Sequence, residues 1–199
     1  STELKSAGGV GELLSICHTA GKMKNKTGIP VIIFGRQATL AEKLLLEKYS
    51  FIDYVVIGDP EYPILKLLSG EKSEDVQGIV YFNGNGKVVQ NAVGEQTDLN
   101  SLPMPSFDQF FKYKNSVKMG FFVPISRGCN YHCSFCQYPM MGKKISSRNN
   151  FRYYSVEWTI NNLKYLRNNY GPISNFYFTG TSFTLSKEYI RKFIKLYKS

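Results

Sequence analysis

Two spacings of apolar side chains divide the start of the chain into a predicted helix and two predicted strands. Residues 10–23 carry apolar side chains at helical spacing, which predicts an amphipathic helix with Cys17 on its buried face. The runs VIIF (31–34) and DYVVIGD (53–59) are short and mostly apolar, as is typical of buried strands. This part of the chain is therefore predicted to combine helices with a buried sheet.

Further helices are predicted after each of these strands. Thr39 followed by Glu42 has the spacing of a capping box and predicts a helix as far as about Tyr49, with Leu44 and Leu45 on its apolar face. A second helix is predicted over about 63–69, with a proline in its first turn and a glycine past its end. A helix between two strands favours a right-handed parallel unit.

The pattern then changes to a hairpin and a linker. IVYF (79–82) and KVVQ (87–90) flank NGNG, whose Asn and Gly residues tolerate the positive φ angles of a tight turn. Residues 91–117 are mixed in character, and Pro103 and Pro105 oppose regular structure there. We place a boundary between two domains in this segment.

Beyond the linker, strands alternate with helices. FFVPIS (121–126) and ISNFYFT (173–179) are predicted strands, while 155–169 and 186–197 have the apolar periodicity of helices. A long cysteine-bearing loop follows the first of these strands. This order is typical of the opening of a parallel α/β barrel.

Composition and charge bear on the cellular location and the binding partners of the protein. The 199 residues are 43% hydrophobic and contain no apolar run of membrane-spanning length, and the first residues lack the pattern of a secretory signal, so we expect a cytoplasmic protein. The net charge is +10, and residues 140–199 hold nine more basic than acidic side chains. An anionic partner such as RNA would suit this charge. We favour the interpretation that these basic side chains, Lys143 and Lys144 among them, lie on solvated faces of helices and loops. A nucleic-acid partner is not expected, because no binding module is recognisable.

The stretch SRGCNYHCSFCQYP (126–139) contains three of the four cysteines, Cys129, Cys133 and Cys136. A disulfide framework fits this clustering poorly, so reduced thiols that bind metal are expected. A closed zinc site needs four ligands, and His132, next to Cys133, gives no standard zinc spacing. In a cuboidal iron-sulfur cluster, three local thiolates leave one iron open to another ligand. A closed zinc site and an electron-transfer cluster remain alternatives.

The cysteine spacing, placed directly after a strand and with Phe135 before the last cysteine, resembles the CxxxCxxC signature of radical S-adenosylmethionine (radical SAM) enzymes. The resemblance implies that Cys129, Cys133 and Cys136 ligate a 4Fe-4S cluster and that Phe135 packs near the adenine. It also implies that S-adenosylmethionine chelates the open iron. Its reductive cleavage would then give methionine and a 5'-deoxyadenosyl radical that functionalises an unreactive carbon.

The resemblance continues upstream. VIIFGRQATL, DYVVIGDPEYPILKLL, GIVYFNGNGKVV and DLNSLPMPSFD resemble, in order and spacing, segments of radical SAM enzymes that have an N-terminal cobalamin-binding domain. This implies that the turns at Gly35 and Gly58 approach a corrinoid at the carboxyl edge of the sheet. A methyl transfer through methylcobalamin or a ring rearrangement is then the expected reaction.

The implied fold class is α/β and has three parts. Residues 1–90 would be the C-terminal part of a Rossmann-like cobalamin-binding domain with its hairpin, 91–117 a linker, and 118–199 the first strand-helix units of a partial TIM-type radical SAM barrel. Gly180 and Thr181 stand where this family usually has carboxylates, and the resemblance implies that they contact S-adenosylmethionine. We expect the chain to be a piece of a longer enzyme.

The usual cobalamin histidine loop, Asp-x-His-x-x-Gly, is matched only in part. His18 and Gly21 fit its second half, but Ile16 stands in place of the aspartate, so we expect His18 to be a helix-surface or packing residue. The expected partners are a small-molecule substrate and a reductant such as flavodoxin or ferredoxin. An RNA-modifying radical SAM enzyme and a non-enzymatic metal-binding module are the alternatives.

Overall fold

The computed structural model describes residues 10–108, 120–145, 151–171, 173 and 175–198, with the side chains of 10–12 left out. By contacts, this chain divides into two compact units. The first comprises 1–97 and 135–146, and the second comprises 98–134 and 147–199. Residues 135–146, which follow the second cysteine of the motif, thus group with the N-terminal part of the chain. The end of the predicted linker, 109–117, lies outside the described residues, as do 118 and 119.

The first unit is built on a four-stranded sheet. Its elements are α1 (Val10–Thr27), β1 (Ile32–Ile33), α2 (Arg36–Leu40), α3 (Glu42–Lys48), β2 (Tyr54–Val56), α4 (Glu61–Leu68), β3 (Ile79–Phe82), β4 (Val88–Gln90) and α5 (Gln137–Lys144). The sheet order is β1-β2-β3-β4, with β1 parallel to β2 and the other pairs antiparallel. The parallel unit and the 79–90 hairpin are therefore confirmed.

The core of the first unit forms where α1, α2 and α3 pack on this sheet. Its buried residues include Cys17, Leu46, Ile52, Val55 and Val80, each at most 2% exposed. The predicted core position of Cys17 is confirmed. Burial raises the pKa of this thiol above its ordinary value, and the nearby Lys48 ammonium partly offsets the effect.

The predicted capping box at Thr39 and Glu42 is wrong. Thr39 lies inside α2, and its hydroxyl donates to the carbonyl of Gly35 at 3.0 Å instead of capping a later helix. Ala41 is the residue before α3, which begins at Glu42. The apolar face of α3 was predicted in part: Leu45 is buried as expected and Leu46 is buried beside it, whereas Leu44 is 47% exposed.

Among its described residues, the second unit contains two short sheets and two α-helices. Its elements are β5 (Phe121–Pro124), β6 (Ser126–Arg127), β7 (Arg152–Tyr153), α6 (Val156–Tyr170), β8 (Phe176–Thr179) and α7 (Lys187–Tyr197). Strand β5 pairs in parallel with β8, and β6 pairs antiparallel with β7. The alternation of strand and helix was predicted from sequence. The predicted strand 121–126 is divided into β5 and β6, and both α5 and β7 were missed.

Helix α6 supplies four of the eight buried residues in one core cluster of the second unit. Ser155 caps it, because its hydroxyl accepts the N–H of Trp158 at 3.1 Å. Val156, Ile160 and Leu163 face β5 in one buried cluster, as their spacing predicted. Asn162 shares this buried side, is fully buried, and finds no hydrogen-bond partner for its amide within the described residues. In the described ranges, no helix has both the length and the apolar character needed to cross a membrane.

Candidate metal centre

The cysteine motif lies in an irregular loop between β6 and α5. Gly128 turns the chain out of β6 with a φ of 87°. All three thiols are free; Cys129 and Cys136 are half-buried and Cys133 is exposed. The loop therefore presents three reduced sulfur donors with access to solvent, and Cys136 is the residue from which α5 begins.

The donors fit an iron-sulfur cluster by their chemistry, because cysteine thiolates are the usual ligands of such clusters. The Tyr131 backbone N–H donates to the sulfur of Cys129 at 3.4 Å, a type of hydrogen bond that stabilises and tunes cluster thiolates. Within the described residues, no three His, Cys, Asp or Glu side chains lie close enough to hold a metal ion. The motif thus offers three accessible free thiols.

Phe135 is 91% exposed and is not part of a hydrophobic core. This exposure excludes the ordinary packing role of a core phenylalanine. Its ring is open to a planar partner. The predicted contact with the adenine stays a prediction.

The end of β8 contacts the residues just before the cysteine loop. The Thr181 hydroxyl donates to the carbonyl of Gly128 at 2.6 Å. At Gly180, with φ 154°, an added Cβ would lie 2.2 Å from the hydroxyl oxygen of Ser126. The structure therefore brings the two predicted S-adenosylmethionine residues, Gly180 and Thr181, against β6 and the start of the cysteine loop. Sequence reasoning missed Ser126 and Gly128, because neighbours across a sheet are not visible in local spacing.

The hydroxyl of Ser126 is buried and finds no hydrogen-bond partner among the described residues. Serine hydroxyls in this position usually bond to backbone or water, because an unpaired buried polar group is costly. The close approach of Gly180 covers it. The two residues therefore restrict each other.

In the first unit, Gly35 and Gly58 follow β1 and β2 at the predicted carboxyl edge, with φ angles of 103° and 80°. Thr39 joins the two turns: its hydroxyl donates to the carbonyl of Gly35 and accepts the N–H of Gly58 at 3.1 Å. Thr39 itself is fully buried. The turns are therefore fixed by one side chain that the sequence pattern had assigned to helix capping.

A cavity of about 210 Å³ adjoins the second of these turns. Residues lining it include Ile57, Gly58, Tyr62, Gly78, Gln96 and Ile145. Ile145, just past α5, has a methyl group 3.3 Å from where a Cβ on Gly58 would lie, whereas Gly35 has open space around it. The carboxyl edge is thus open at one turn and covered at the other.

A corrinoid therefore fits the described residues only in part. Gly35 offers an open turn, but Ile145 occupies the space over Gly58. Both histidines of the chain, His18 and His132, are exposed, and His18 lies on α1 as expected for a helix-surface residue. We derive no chemical step through cobalamin from these residues.

Comparison with known proteins supports the resemblance of this fold and cysteine loop to radical SAM enzymes. The family model described as the Radical SAM superfamily matches residues 123–199, which include the cysteine motif and the end of β8. The predicted resemblance is confirmed for this part of the chain. A comparison with curated protein sequences finds no match.

Solved structures share the fold. One is the radical S-adenosylmethionine methyltransferase TsrM from Kitasatospora setae with tryptophan substrate and aza-SAM bound, at 15% identity and a TM-score of 0.65, covering 92% of this chain and 36% of that chain. Another is the cobalamin-dependent S-adenosylmethionine radical enzyme OxsB with aqua-cobalamin and S-adenosylmethionine bound, at 21% identity and a TM-score of 0.63, covering 89% and 25% respectively. The predicted α/β fold class is confirmed. The chain spans little more than a third of the length of the first and a quarter of the second.

Proposed function

We propose that this chain is part of a radical SAM enzyme whose 4Fe-4S cluster is held by Cys129, Cys133 and Cys136. The observation that carries the proposal is the loop of three accessible free thiols that follows β6 within the segment matched by the superfamily model. When bound, such a cluster supplies the electron for reductive cleavage of S-adenosylmethionine, and the resulting radical functionalises an unactivated carbon.

The chain's own residues bind and orient the reactants. The N–H of Tyr131 supports the thiolate of Cys129. The hydrogen bond from Thr181 to Gly128 fixes the beginning of the loop against the end of β8, where Gly180 keeps the strand end free of a side chain. The exposed ring of Phe135 provides a surface on which an adenine can stack. These contacts support roles for Phe135, Gly180 and Thr181 in holding S-adenosylmethionine.

The reaction of the whole protein is proposed more broadly. TsrM is a methyltransferase and OxsB is a cobalamin-dependent enzyme. We therefore infer methyl transfer or a ring rearrangement on a small-molecule substrate, with a reductant such as flavodoxin or ferredoxin. Cobalamin use by the complete enzyme is part of this proposal, with Gly35 the residue whose open turn suits it best. Cytoplasmic placement belongs to the same proposal.

Anaerobic reconstitution with iron and sulfide tests the function. The chain is expected to gain the visible absorption of a 4Fe-4S cluster, and S-adenosylmethionine is expected to change the spectrum of the reduced cluster. Cys133→Ala should abolish the absorption, while Cys17→Ala, a matched change at a buried cysteine outside the motif, should retain it. Uptake of zinc alone, or a cluster that ignores S-adenosylmethionine, would instead indicate a non-enzymatic metal-binding module.

A further inference from the structure

The helix that starts at the third motif cysteine depends on its neighbours for its position. Cys136 is the residue before α5, whose eight residues include Pro139 and Gly142 and bury no side chain. Helices this short are marginal on their own in water, and an interior glycine weakens them further. The position of α5 must therefore come from contacts with other elements of the first unit.

Three contacts dock α5 on α2, α3 and the strand edge. The Lys144 ammonium, in the last turn of α5, pairs with both carboxylate oxygens of Glu42. The Arg36 guanidinium lies 5.5 Å from the centre of the Tyr138 ring, within cation–π range. Ile145 packs against the core cluster of the first unit. The two ends of α5 are thus attached at different points.

The ion pair is the most specific of these contacts. The Glu42 side chain is 9% exposed and the Lys144 side chain 37% exposed. Glu42 is the first residue of α3, where the helix dipole favours a carboxylate, and Lys144 is in the last turn of α5, where it favours a cation. A carboxylate buried to this extent needs its partner, because removal of one charge leaves the other uncompensated.

We propose that Glu42 and Lys144 are positioning residues for the cluster: their ion pair fixes α5 and thereby places the sulfur of Cys136 for metal binding. This inference rests on the proposed function. Lys144 is eight residues from Cys136, roughly 12 Å along a helix, so neither charge contacts the metal. The two charges act through α5. Loss of either charge should therefore weaken iron binding without removing a ligand.

The test measures how fast reconstituted full chains lose iron to a chelator such as bathophenanthroline under anaerobic conditions. Lys144→Gln is expected to release iron on the order of tenfold faster than the unaltered chain, which corresponds to about 1.4 kcal/mol. Glu42→Gln should have a smaller effect, because the lysine it leaves behind can be solvated whereas the carboxylate cannot. Lys144→Arg keeps the charge and should retain the original rate.

Lys143→Gln is the matched control, since it removes one charge from the adjacent, exposed position of the same helix. It should leave iron release unchanged. Thermal unfolding of the apoproteins by circular dichroism establishes that each variant is folded. If Lys144→Gln does not fold, the iron-release rate of Glu42→Gln is the test. The spectrum of the reduced cluster reports whether the cluster environment has changed, which a loss of general stability would not produce.

Two results would overturn the proposal while leaving the proposed function intact. One is iron release from folded Lys144→Gln and Glu42→Gln at the rate of Lys143→Gln. The other is a defect in Lys144→Arg as large as that in Lys144→Gln, because the charge would then not be the cause. Failure of the unaltered chain to assemble any cluster refutes the proposed function itself, and this inference with it.

Discussion

A side chain at Gly180 is predicted to destabilise the chain because of the contact of this glycine with Ser126. In Gly180→Ala the new methyl group would lie 2.2 Å from the Ser126 hydroxyl oxygen, far inside van der Waals contact. The next nearest atoms are a methylene carbon of Ile125 at 3.3 Å and the Cβ of Ser126 at 3.4 Å. A single oxygen therefore accounts for nearly all of the steric conflict.

The expected loss has two parts. Overpacking against the buried Ser126 hydroxyl costs about 1–3 kcal/mol, and a non-glycine residue in a sparsely populated positive-φ region costs about another 1–3 kcal/mol. Ser126→Ala removes the conflicting oxygen and should recover only the first part. Alone, Ser126→Ala should stabilise the chain by about 1 kcal/mol, because it removes a buried hydroxyl that has no partner among the described residues.

A double-mutant cycle measured by urea unfolding separates these parts. The coupling between Gly180→Ala and Ser126→Ala is expected at about 1–3 kcal/mol, in the range seen for residues in contact. Gly171→Ala is the control: its φ is 79°, but apart from its chain neighbours no described residue has an atom within 4 Å of the added methyl group. It should lose stability equally with Ser or Ala at position 126. Additive changes in the free energy of unfolding for Gly180→Ala and Ser126→Ala would refute the steric reasoning.

Three further predictions concern single groups. Asn162→Leu should raise the free energy of unfolding by about 1 kcal/mol, because it replaces a fully buried amide without a described partner; a lower urea midpoint would contradict this. Burial raises the pKa of Cys17, so the stabilising contribution of this thiol should be complete below the ordinary thiol pKa and should decline as the pH rises through the raised pKa. Iodoacetamide at about pH 8 should therefore alkylate Cys133 much faster than Cys17. Equal alkylation rates would count against the raised pKa of Cys17. Thr181→Val should lose about 1 kcal/mol with its hydrogen bond to Gly128 and weaken the spectral response of the cluster to S-adenosylmethionine; an unchanged response would remove Thr181 from the proposed site.

Much of the fold could be predicted because its elements carry local signals. The turn NGNG predicted the 79–90 hairpin, and apolar spacing predicted α1, α6 and the parallel strands. Thr39 was misassigned because a capping box is defined by sequence spacing alone. In the structure its hydroxyl instead bonds to two glycine turns that are far apart in sequence. Helix α5 was missed since its short sequence, with Pro139 and Gly142, has weak helical propensity.

The sequence alone determined the predicted donor set of the candidate metal centre, because Cys129, Cys133 and Cys136 lie within eight consecutive residues. It also determined most of the order of strands and helices, which follows from periodicity, although α5 and β7 were missed. Only the tertiary structure decided that Ser126 lies against Gly180 and that Lys144 pairs with Glu42. The members of that ion pair are 102 positions apart. Their contact depends on how the elements pack, which local spacing does not encode.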